Sequence, residues 1–153
     1  MANTYSQVYL QFVFSVKGKQ NLLQHKYNDE LQKYITGIVQ NRKHKMLAIN
    51  NVTDHLHMLV GFDTTMSMSD FMEEVKSISS KFINDKGWIR GKFEWQRGYG
   101  VFSYSRSHLD NVIKYIKNQQ EHHKKNTFRD EYLELLKKYE VEYDERYLFE
   151  FYD

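Results

Sequence analysis

Two histidines stand one residue apart in "NVTDHLHMLVGF", residues 51–62. The segment reads as a strand, and residues two apart on a strand share a face. His55 and His57 therefore point the same way, while Leu56, Met58, Val60 and Phe62 point the other way and form a core face. Histidine is the commonest metal ligand, so a pair at this spacing can hold one ion. Two surface histidines on a half-exposed strand are the competing reading. A catalytic ion needs a third protein ligand and open positions. Downstream, His108, Asn111, Tyr115, Gln119 and His122 recur at helical steps and share one helix face. Tyr115 and Gln119 lie one turn apart and offer a phenol and an amide oxygen together. A half-buried interface stripe is the plainer account, in a chain with twelve tyrosines.

Together the two groups suggest attack of a tyrosine oxygen on phosphorus. A phenol is a poor nucleophile at neutral pH, because its pKa is about 10. An ion bound to the scissile phosphate would offset its charge and stabilise the leaving alkoxide. The product would be a covalent phosphotyrosine, with no water required.

Residues 5–16, "YSQVYLQFVFSV", alternate as a strand, with Val8, Leu10, Phe12, Phe14 and Val16 on the apolar side and Gln7, Tyr9, Gln11 and Ser15 mostly opposite. Helical spacing predicts a first helix over 20–42 and a second over 69–84, with Ser67, Ser69 and Asp70 as caps. Strands are expected over 46–52 and 55–62, and again over 92–95 and 99–105. A third helix should run from about 107 to 123 and a fourth from about 128 to 139. The order β-α-β-β-α-β followed by helices is the split βαβ, ferredoxin-like pattern. The expected class is α+β, an antiparallel sheet with two helices on one face and the histidines on the other.

The chain of 153 residues fits one domain, taken as 1–153 with a core over about 5–139. It has no cysteine, which removes disulfides and thiolate chemistry. No signal peptide is expected at the N-terminus, and no apolar run approaches the roughly 18–20 residues of a membrane span. Net charge is only +2, but residues 140–153 hold six acids and one base. A basic body with an acidic tail permits a polyanionic partner, and ordinary surface charge explains it equally well.

"DHLHMLV" resembles the histidine-hydrophobe-histidine (HUH) motif, and "VIKYIKNQQEHH" resembles the companion helix of the single-tyrosine insertion-sequence transposases. "EWQRGYGVFSYS" and "VYLQFVFSVKGKQNLL" are similar to that family's segments as well, so the likeness runs from about residue 5 to 139. The resemblance implies a DNA transposase, a metal-dependent single-strand DNA endonuclease and strand transferase that recognises hairpins at element ends. It gives Tyr115 as the nucleophile and His55, His57 and Gln119 as metal ligands. Cleavage would leave a 5′-phosphotyrosine and a free 3′-hydroxyl. The implied ion is Mg2+ or Mn2+, whereas two imidazoles alone would favour a softer metal. A homodimer is implied, with the tyrosine helix of one subunit able to complete the site of the other, and so is a cytoplasmic, nucleoid-associated protein.

Arg42, Lys43 and Lys45 are candidate hairpin contacts, and Lys76, Lys81 and Arg97 candidate phosphate contacts. Each is also an ordinary solvated charge. Tyr9, Trp95 and Tyr104 could stack on bases, although core packing explains them too. His122 and His123 fit either a phosphate contact or a helix end, where cationic histidine is favourable, and are left out of the ligand set. Two alternatives stay open: a domesticated relative that processes repeated palindromes, and a non-catalytic RNA- or DNA-binding module of the same topology.

Overall fold

The computed structural model describes residues 3–152. Four strands, β1 (Tyr9–Ser15), β2 (Lys45–Asn51), β3 (His55–Gly61) and β4 (Gly100–Tyr104), form one antiparallel sheet in the order β2-β3-β1-β4. Helices α1 (Asn28–Asn41) and α2 (Met68–Lys86) cover one face. Leu10, Phe12 and Phe14 of β1 and Leu56, Met58 and Val60 of β3 pack there against Leu31, Ile35, Phe71 and Val75. This is the expected α+β, ferredoxin-like arrangement.

The opposite face is covered too. Helices α3 (Leu109–Lys117), α4 (Gln119–His122) and α5 (Phe128–Lys138) close over it. Val112 and Ile116 of α3 pack on Ala48 and Leu59, and Phe128, Tyr132 and Leu136 of α5 pack on Val13 and Phe102. Gln11, Ser15, His55 and His57, polar by sequence, are consequently fully buried.

Three expectations need correction. The first helix begins at Asn28, because two short 3-10 turns, Lys19–Asn21 and His25–Tyr27, precede it. Residues 92–95 form no strand; Trp95 makes one isolated bridge to Val16. Its ring packs on Phe14 and its indole N–H donates to Ser79 Oγ, so Trp95 is a core residue. The helix expected over 107–123 is broken at Asn118. There the Asn50 amide of β2 donates to the carbonyls of Ile116 and Lys117, both at 3.0 Å. A strand side chain thus satisfies carbonyls that a helix end leaves without partners.

The tail lacks regular periodicity, as expected, yet it is anchored. Phe149 is buried against Phe128 and Tyr132, and the Glu150 N–H donates to Gln96 Oε1 at 2.7 Å. Asp153, the last acid of the tail, lies outside the described residues. No helix among the described residues is long and apolar enough to cross a membrane.

Candidate active site

β3 is a buried strand, so its period of two sends His55 and His57 together under α3–α5. Their Nε2 atoms converge on Oε1 of Glu131, at 3.1 and 3.0 Å. His123 Nε2 reaches the same oxygen at 3.2 Å. The other oxygen, Oε2, accepts from the Tyr115 hydroxyl and from Gln119 Nε2, the latter at 3.1 Å. His122 Nε2 lies 3.4 Å from Oε2 without hydrogen-bond alignment. One carboxylate therefore joins the histidine pair to the tyrosine helix.

The four residues put forward from sequence as nucleophile and ligands are brought together within one chain. Glu131 was not foreseen. α5 seats it through its own sequence: Thr127 caps the helix by accepting from the Asp130 N–H, and Phe128 and Tyr132 flank Glu131 in the hydrophobic cluster. The available signal was a carboxylate falling within the apolar stripe Phe128, Tyr132, Leu135, Leu136. An acid is seldom buried without a partner.

Burial and charge set the protonation of the cluster. Burial pushes the Glu131 pKa up, but His57, His123 and His55 outweigh it and hold the carboxyl well below its usual range. Burial opposes charge on His55, yet Asp54 and Glu131 raise its pKa above the ordinary imidazole value. For His57 burial prevails over Glu131, helped by repulsion from His55 and His123, and its pKa falls. Tyr115 is pushed up by burial and then by the Glu131 charge, so its phenol keeps its proton.

The residues fit a metal ion. Ligand atoms of His55, His57 and Glu131 lie within 4.8 Å of one another. Gln119 Oε1 is buried without a hydrogen-bond partner among the described residues, which leaves its lone pairs available to an ion. Asp54 Oδ1 sits 2.7 Å from His55 Nδ1 and accepts a hydrogen bond from it, so Nε2 is the nitrogen that would ligate an ion. A cleft of about 290 Å³, bounded by Tyr104, Asn111, Val112, Leu135 and Tyr139, opens onto Tyr115.

The basic candidates separate into engaged and free residues. Arg42 is paired with Glu74, and Lys81 with Asp85 at 2.8 Å. Lys76 donates to the carbonyls of Gln96 and Gly98, clamping that loop, and burial lowers its pKa to about 8. Lys43, Lys45 and Arg97 are exposed, and Arg97 shares a surface cavity with Tyr132 and Leu136 of α5. Tyr9 is half-buried, and Tyr104 lines the cleft and donates to Gln11 Oε1.

A family model described as "Transposase IS200 like" matches residues 4–119. Among solved structures, the chain is similar to a Deinococcus radiodurans R1 protein assigned as a transposase, with TM-score 0.60 and 19% identity over 78% of this chain and 95% of that one. It is also similar to a REP-associated tyrosine transposase bound to a REP hairpin, with TM-score 0.58 and 14% identity over 80% of this chain and 73% of the other. No curated protein matches the sequence. At these identities the structural likenesses speak for the fold.

Proposed function

Since the chain belongs to the IS200-like transposase family, we propose that it is a metal-dependent single-strand DNA endonuclease and strand transferase with Tyr115 as its nucleophile. One observation carries this reading: the carboxylate that bonds both histidines of the H-x-H pair also accepts from the Tyr115 hydroxyl. Nucleophile and ligands then meet at one place.

His55 and His57 would hold the ion through Nε2, with Gln119 Oε1 and Glu131 as oxygen donors. Oxygen donors added to two imidazoles move the set toward Mn2+ or Mg2+ and away from softer metals. When bound, the ion offsets the charge of the scissile phosphate and of the leaving oxygen. The single strand enters by the cleft at Tyr115. Glu131 Oε2 orients the phenol as an acceptor; its depressed pKa makes it a weak base. Tyr115 Oη forms a bond to phosphorus, the P–O3′ bond breaks, and the proton lost by the phenol ends on the 3′ oxygen. The 5′ phosphate remains on Tyr115 until a second 3′-hydroxyl displaces it, so bond energy is conserved. The proposed ligands and nucleophile meet within one chain, which supports a homodimer that need not exchange tyrosine helices.

The test is incubation with single-stranded DNA from the flanks of its own gene, with Mn2+ or Mg2+. A covalent protein–DNA adduct is expected for the wild type and absent for Tyr115→Phe and His57→Ala. Wild-type protein that forms no adduct with any flank or ion would defeat the reading. The likeness to a hairpin-bound REP-associated relative favours one variation, a non-mobile enzyme that cuts beside repeated palindromes. Flanking DNA without element ends, together with adduct formation on genomic palindromes, would select it.

A further inference from the structure

The two histidines are not supported alike. His55 Nδ1 faces a carboxylate, which only accepts, so its ring is fixed with the proton on Nδ1. His57 Nδ1 faces the side-chain amide of Gln11, with Nε2 of Gln11 at 2.8 Å. The far end of that amide, Oε1, accepts from the Tyr104 hydroxyl at 2.6 Å. Gln11 and His57 are both fully buried, so neither can exchange its partner for solvent.

An amide differs from a carboxylate in offering a donor at one end and an acceptor at the other. As arranged, the Gln11 NH2 donates to His57 Nδ1. The ring proton then sits on Nε2 and is donated to Glu131 Oε1 at 3.0 Å. That tautomer cannot ligate through Nε2. Ligation needs the proton on Nδ1, and Nδ1–H needs an acceptor. A half-turn of the Gln11 amide supplies it. Oε1 then accepts from His57, and the NH2 turns to Tyr104, whose hydroxyl can accept as well as donate. The Gln11 amide keeps both of its hydrogen bonds, the His57–Glu131 bond gives way to the ion, and the ring proton moves from Nε2 to Nδ1 with no net proton gained or lost.

We propose that Gln11 is a positioning residue that sets the tautomer of His57, its amide turning over when an ion is bound, with Tyr104 satisfying it in both orientations. Asp54 holds a proton on His55 Nδ1 whether or not an ion is bound, so His55 needs no change of partner there, while Gln11 lets His57 alternate between bonding Glu131 and binding metal. This rests on the metal-dependent reading above.

The test pairs Gln11→Leu, which removes both partners, with Gln11→Glu, which can only accept. Circular dichroism checks that each variant folds. Calorimetric titration with Mn2+ should show affinity reduced roughly 10–100-fold in Gln11→Leu and restored to the wild-type level or better in Gln11→Glu. 15N-histidine spectra should place the His57 proton on Nε2 in ion-free wild type. They should place it on Nδ1 after Mg2+ addition, and on Nδ1 without any ion in Gln11→Glu. An ion-free wild type with the proton already on Nδ1, or Gln11→Leu with unaltered Mn2+ affinity, would overturn the proposal. Wild type that binds no ion defeats the metal reading alone, because the ion-free tautomer comparison still decides the role of Gln11.

Discussion

At the scale of single residues, burial decides what each histidine can do. His44 lies outside the cluster and shows this without a metal question. It stacks on Phe62 and its Nδ1 accepts from the Asp63 N–H at 2.8 Å, a role only the neutral ring can fill. Burial depresses its pKa below 6.5, with Asp63 opposing more weakly. Above that value the ring is neutral in both folded and unfolded chains. Below it the unfolded chain takes up a proton first, so stability falls with pH until the lower folded pKa is passed. Urea unfolding of wild type and His44→Phe between pH 7.5 and 5 should show a shallower decline in the variant. His44→Phe should also be less stable at pH 7.5 by about 1 kcal/mol, for the lost hydrogen bond. The same residue-scale logic explains the limits of sequence reading. The H-x-H spacing and the Tyr115–Gln119 turn were legible because strand and helix periods are local. His123 and Gln11 became part of the site only through contacts between distant segments, which no period records, and the helical period that puts Glu131 on an apolar stripe does not say what it meets.

At the scale of elements, α5 controls the site because one helix face carries both Glu131 and the apolar anchors Phe128, Tyr132 and Leu136. The anchoring is close. A Cβ added to Gly100 of β4 would lie 2.7 Å from Tyr132 Oη. Gly100→Ala should therefore push α5 off the sheet and cost about 1–3 kcal/mol in denaturant unfolding. Core strands and both helices of the α1–α2 layer were legible from alternation and helical spacing. The break at Asn118 was not, because its cause is the Asn50 side chain, about seventy residues earlier. The strand expected over 92–95 failed for a related reason: Phe93 and Trp95 fill the core from a loop, and apolar alternation alone does not distinguish that from a paired strand.

At the scale of the whole molecule, the sheet is a central layer between two helical layers, and the second layer brings the tyrosine to the histidines of its own chain. An equimolar mixture of His57→Ala and Tyr115→Phe proteins should thus form no DNA adduct. Adduct in the mixture would mean that tyrosine helices pass between chains. The Asn50 contact has a consequence for the order of folding. α3 ends where it does because β2 supplies the donor for its last carbonyls, and β2 does so only once paired with β3. Tyr115 cannot take its place until the sheet has closed over contacts far apart in sequence, which are the slow ones. A half-made chain emerging from the ribosome would carry the histidines without Tyr115 in place, so under the proposed function the capacity to break DNA arrives last.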